Sequence, residues 1–148
     1  MSNIKLEIVK KYKYSLLVAF AIFFLSVRPK APDVFYLEKY NRGIFHTANN
    51  SFNLLELRDW TGHFCFYFLL GGLLCYESAK NGRSSKSMEF LLIVVLLPML
   101  YGGMIELVQE YLFPPRTGEW SDWIVDIMGA SAAYMSWIWM EKKFKIVK

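Results

Sequence analysis

Long apolar runs alternate along this chain with short, densely charged stretches. That segregation restricts the available folds more than any other feature. A soluble domain interleaves apolar and charged residues at the helix or strand period, so that each element has a core face and a water face. Here the run SLLVAFAIFFLSV (15–27) follows Lys5, Lys10, Lys11 and Lys13, and FLLIVVLLPML (90–100) follows the polar stretch ESAKNGRSSKS (77–87). A mean hydropathy of only +0.25 conceals this pattern. With 55% hydrophobic and 18% aromatic residues in 148, the chain is one folded domain and not a disordered segment. Its net charge of +4 does not point to nucleic acid, because the lysines and arginines flank apolar runs instead of lining one face or arm.

The pattern predicts an all-α, four-helix transmembrane bundle with helices at about 14–27, 59–77, 88–112 and 121–140. The first run is short, rising about 20 Å against a hydrocarbon core of about 30 Å. Flanking Tyr12, Tyr14, Lys13 and Arg28 can extend it at the interface. Ser26-Val27-Arg28 is a poor signal-peptide cleavage site, so the segment is expected to stay as an uncleaved first helix. Pro29 and Pro32 end it, and residues 28–58 form a polar, turn-rich loop. Asp59 is a good N-cap for the second helix. Pro98 is expected to kink the third, and Trp120, Trp123, Trp137 and Trp139 suit interfacial belts at the ends of the fourth. Cys65 and Cys75, about 15 Å apart on one helix, are too distant for a disulfide and read as packing residues.

Four spans place both termini on one side. That side then carries eleven of the lysines and arginines and the opposite side six, so the positive-inside rule puts both termini in the cytoplasm. The loop 28–58 and the Pro-Pro-Arg connection before the fourth helix face outward.

This topology brings the intramembrane polar residues together. Asp59 and His63 are four apart at the outer end of the second helix. Gly102, Glu106 and Gln109 share a face near the outer end of the third, and Asp122, Asp126 and Gly129 repeat the same four-then-three spacing at the start of the fourth. Arg116 lies in the connection between them. Ionisable groups within a span cost about 2.5–3.5 kcal/mol each on insertion scales and normally face a bundle interior or wet cavity. The candidate site is therefore Glu106, Gln109, Arg116, Asp122 and Asp126, with Asp59 and His63 as a second wall. Glu110, one step off the stripe, is expected to be interfacial and uninvolved. Taken singly, each residue also has a bland reading: Asp59 and Asp122 as helix caps, Glu106 as a partner of Arg116, His63 as a packing residue.

The same residues resemble the VanZ-like family of small bacterial membrane proteins. Its pattern of Asp, then His-Phe, then Tyr-Gly-x-x-x-Glu-x-x-Gln, a nearby Arg and Asp-x-x-x-Asn/Asp-x-x-Gly is met by Asp59, His63-Phe64, Tyr101-Gly102, Glu106, Gln109, Arg116, Asp122, Asp126 and Gly129. This chain departs from it at Trp60, where the family usually has Lys, at Asp126, where Asn is typical, and at Ala133, where a second Gly is usual. The resemblance implies a small polytopic membrane protein and a link to low-level resistance to the glycopeptide teicoplanin.

Three functions follow as expectations. The first is binding or handling of a polar lipid or cell-envelope headgroup in the outer leaflet, with Arg116 and His63 holding phosphate and the acids holding an amine or a divalent cation. The second is a small subunit of a larger inner-membrane assembly, with Gly71-Gly72, Gly102-Gly103 and Gly129-x-x-x-Ala133 allowing close helix approach to partners or within the bundle itself. The third is a hydrolase or transferase using the same acids, whose metal-assisted version takes His63 with two carboxylates. No Gly-x-Ser-x-Gly, His-Glu-x-x-His or phosphate-binding Gly loop is present, and no nucleophile stands out, so the reading leans away from an enzyme. No cofactor and no metal site is assigned, and the expected partners are membrane lipids and other inner-membrane subunits, not nucleic acid.

Overall fold

The computed structural model describes residues 2–27, 54–113 and 118–144. Arg116 and most of the expected loop 28–58 lie outside them. The described residues form helices joined by turns, with no strand among them. They are α1 (Ser2–Lys11), α2 (Lys13–Ser26), α3 (Leu54–Lys80), α4 (Met88–Leu112) and α5 (Trp120–Phe144).

Two helix starts differ from the sequence expectation. α3 begins at Leu54, so Asp59 lies inside the helix and does not cap it. Leu54, Leu55, Glu56, Leu57 and Arg58 are mostly strong helix formers, and nothing among them stops the helix short of the aspartate. At the start of α5 the Glu119 carbonyl accepts the Asp122 and Trp123 amides at 3.1 and 3.3 Å, which puts Asp122 in the first turn, free to face another helix. α3 also runs on to Lys80, because Glu77 and Ser78, read as part of a polar hairpin, are buried.

Pro98 is accommodated by a change of helix type. Proline lacks the amide hydrogen and its ring crowds the carbonyl four residues back. The turn just before it, Leu92–Leu96, is π-helical, with the Leu97 amide reaching back to the Leu92 carbonyl. This wider turn absorbs the misfit, with Val94 and Pro98 themselves buried.

From α2 to α5 the helices alternate in direction. At one end Glu77, 3% exposed, crosses from α3 to the first turn of α2. Its carboxylate accepts the Tyr14 amide at 2.9 Å, the Ser15 amide at 3.2 Å and the Ser15 hydroxyl at 2.5 Å. These amides open a helix and have no partner within it. At the same end the Tyr134 hydroxyl donates to the Ser85 carbonyl, and Ser85 Oγ donates to Glu141. At the opposite end Gln109 of α4 meets Ser26 of α2, and His63 of α3 meets Asp126 of α5.

The core is a thin seam of Ile22, Tyr67, Leu70, Leu74, Cys75, Phe90, Val94 and Ile105. Both cysteines are free. The closest seam joins α3 to α5. A Cβ on Gly129 would lie 2.6 Å from the Phe64 carbonyl oxygen, and one on Gly71 would lie 3.0 Å from the Ala133 Cβ. Gly71, Gly129 and Ala133 thus pack inside the chain, whereas a Cβ on Gly72 would meet nothing within 4 Å.

Apolar side chains also cover the outside: Leu17 and Phe20 are each 70% exposed, and Leu100, Leu107, Met128 and Met135 are exposed as well. Among the described helices α4 is long and apolar enough to cross a membrane, with a mean hydropathy of 2.3 over its most apolar stretch. α2 is apolar but shorter, at 14 residues.

Candidate functional site

Three helices converge at the end opposite Glu77. On α3 the stripe Asp59, His63, Tyr67 recurs every four residues and faces α5 and α4. The His63 ring lies between two carboxylates of α5, with Nδ1 2.9 Å from Asp126 Oδ1 and Nε2 3.5 Å from Asp122 Oδ2. Asp126 is 1% exposed. Its place exists because α4 carries no side chain opposite it: a Cβ on Gly102 would fall 2.7 Å from Asp126 Oδ2 and 3.2 Å from the Tyr67 hydroxyl.

Glu106 closes the cluster from α4. Its Oε2 accepts the Glu119 amide at 2.7 Å, which ties α4 to the chain entering α5. Its Oε1 is buried without a hydrogen-bond partner. His63, Glu106 and Asp122 each offer one ligand-type atom, and all three atoms lie within 4.8 Å of one another. One imidazole and three carboxylates, brought from three helices, can relay a proton or hold a cation.

The structure sorts the expected site residues. His63, Glu106, Asp122 and Asp126 come together. Gln109 does not join them: its Nε2 donates to the Ser26 carbonyl at 2.9 Å, pinning α4 to the end of α2. Asp59 sits one turn further out and pairs with its neighbour Arg58 at 3.3 Å. Arg116 lies outside the described residues, so its expected role as the anion contact finds no geometry here.

Sequence reasoning passed over several groups. Tyr67 is 1% exposed and borders Asp126 beside Gly102; its place four residues after His63 was the available signal. Glu110, expected to be uninvolved, accepts the Gly118 amide at 2.9 Å and lines the groove beside the cluster. Trp123, assigned to an interfacial belt, donates its indole N–H to the Met99 carbonyl at 2.8 Å and packs over Gly103. No sequence signal pointed to that bond.

The fold and the site together define a small helical protein with an acid–histidine cluster buried at one end. A family model, VanZ/LLP1, matches residues 12–141. The chain belongs to that family. No curated protein and no solved structure gives a significant match.

Proposed function

We propose that this chain is a multi-pass protein of the bacterial inner membrane, with both termini cytoplasmic, and that its outer-end site binds the headgroup of a polar lipid or cell-envelope component. The observation that carries this reading is a groove of about 590 Å³ between the second half of α4 and the start of α5. Met99, Leu100, Met104, Leu107, Trp120 and Trp123 make its wall apolar, and Glu106, Glu110 and Glu119 place carboxylates along it. An amphiphile fits such a surface, with its chain against the apolar wall and a cationic or hydrogen-bonding headgroup at the acids.

Two further observations support a membrane setting. α3 and α5, with 27 and 25 residues, rise about 40 and 37 Å, enough to reach across a bilayer beside α4. Lys11, Lys13, Lys80, Arg83, Lys142 and Lys143 gather at the end opposite the site, the cytoplasmic end by the positive-inside rule. The family's general link to resistance favours an envelope component as the ligand.

The test is retention of lipid by the purified full chain, read by native mass spectrometry after exchange into mixed micelles of phosphatidylethanolamine and phosphatidylglycerol. The amine lipid should be retained preferentially. Met104→Trp, which fills the groove, should abolish that retention, and Glu110→Gln should weaken it. Equal retention of both lipids, unchanged in Met104→Trp, would refute the reading.

A further inference from the structure

We propose that His63, Glu106 and Asp122 form a binding site for a divalent first-row transition metal, with Asp126 as the group that orients the histidine. The proposal does not rest on the headgroup reading. It rests on how the atoms around His63 divide.

Nδ1 of His63 faces the buried Asp126 carboxylate at 2.9 Å. In the neutral ring, an Nδ1 that donates to a carboxylate carries the hydrogen, which leaves Nε2 with the lone pair that a metal needs. A carboxylate behind the far nitrogen is the usual companion of a metal-binding imidazole, since it sets the tautomer and the ring plane. Here that carboxylate is itself held in place, in the space that Gly102 leaves open.

Nε2 then points at Asp122 Oδ2, 3.5 Å away. Ligand atoms about 2.1 Å from a tetrahedral ion stand roughly 3.4 Å apart, so this pair already has the separation of one edge of a coordination shell. Glu106 supplies the third atom, within 4.8 Å of both. A side-chain movement of up to about 1.4 Å would bring it to the same spacing.

Glu106 provides the independent sign of a ligand. Only 8% of the residue is exposed, and its Oε1 has no hydrogen-bond partner, although Oε2 is engaged by the Glu119 amide. A buried carboxylate oxygen normally finds a partner, because leaving it without one is costly. A cation among the three residues would give it one and would offset the like charges of the neighbouring aspartates.

The donor set selects the metal class. One imidazole nitrogen with carboxylate oxygens suits zinc or manganese, whereas magnesium and calcium prefer oxygen alone. Three protein ligands leave at least one coordination position open on the ion.

The experiment uses the full chain in detergent, stripped with chelator, loaded with zinc chloride and passed over a desalting column before metal analysis. One zinc per chain should be retained, and a tenfold excess of magnesium should not displace it. The sequence has two histidines, His46 and His63. His46→Ala should keep the metal, while His63→Ala and Glu106→Gln should lose it. Asp126→Asn, which alters only the orienting group, should weaken affinity about 10–100-fold. Zinc X-ray absorption of the wild-type chain, independent of whether any variant folds, should show one imidazole and oxygen ligands without sulfur. Failure to retain zinc, loss in His46→Ala instead of His63→Ala, or a sulfur ligand would each overturn the site. A chain that holds zinc but shows no lipid preference would sink the headgroup reading and leave this one standing.

Discussion

Replacing Gly129 with alanine puts a methyl carbon 2.6 Å from the Phe64 carbonyl oxygen and 3.1 Å from the Phe68 nitrogen. Ordinary contact begins near 3.4 Å, so α3 and α5 must part by about 0.8 Å at this point. These two atoms are backbone and the third obstruction is the Tyr67 Cβ at 3.2 Å, so no side-chain rotation relieves them. Overpacking of this kind costs about 3 kcal/mol, at the upper end of the usual range. Alanine returns up to about 1 kcal/mol through its better helix propensity, for a net loss of about 2 kcal/mol. Gly72→Ala is the matched control: a Cβ there meets nothing within 4 Å, so only the propensity gain remains. The two variants should therefore differ by about 3 kcal/mol, or roughly 6–12 °C in Tm for a chain of this size. The same displacement reaches the site, because His63 adjoins Phe64 and Asp126 is one turn from Gly129. A 2.9 Å bond stretched by that amount passes beyond hydrogen-bond range. Thermal unfolding followed by tryptophan fluorescence, with nitrogen NMR of the His63 ring, reads both effects. If Gly129→Ala melts no lower than Gly72→Ala, α3 and α5 do not cross this closely in the protein.

Three other outcomes follow from the geometry. Glu77→Ala removes the acceptor of three hydrogen bonds at the start of α2 and should cost about 3 kcal/mol, seen as faster proteolytic release of the N-terminal helices; Glu77→Gln should lose less. Gly102→Ala meets a carboxylate oxygen at 2.7 Å instead of backbone, so its melting temperature should fall less than that of Gly129→Ala while zinc retention falls at least tenfold. In intact spheroplasts of a strain carrying a chain without Cys65 and Cys75, an impermeant maleimide should label Glu119→Cys and spare Asn81→Cys. The reverse pattern would invert the proposed orientation.

Much of the site was legible because helical spacing is a local property. The intervals from Gly102 to Glu106 and from Asp122 to Asp126 put these groups on one face each, and alternating helix directions put both faces at the same end as His63. Spacing could not show which neighbour a face meets. Gln109 shares the stripe of Glu106, yet it turns to α2 while Glu106 turns to α5, because one side of α4 borders two helices. Glu77 was illegible for a related reason. A carboxylate in a polar stretch reads as solvated until the amides that bury it are found, and here they lie more than 60 residues away in the chain.

From residue order alone came the all-helical character of the described chain, the placement of its polar groups near one end and the family pattern, since periodicity and hydropathy act within a single rod. Only the assembled helices decided which acids gather around His63, because rotation about each axis is set by contacts between rods. Those contacts depend on glycines at Gly102 and Gly129, whose missing side chains let a carboxylate and a backbone occupy the same narrow seam.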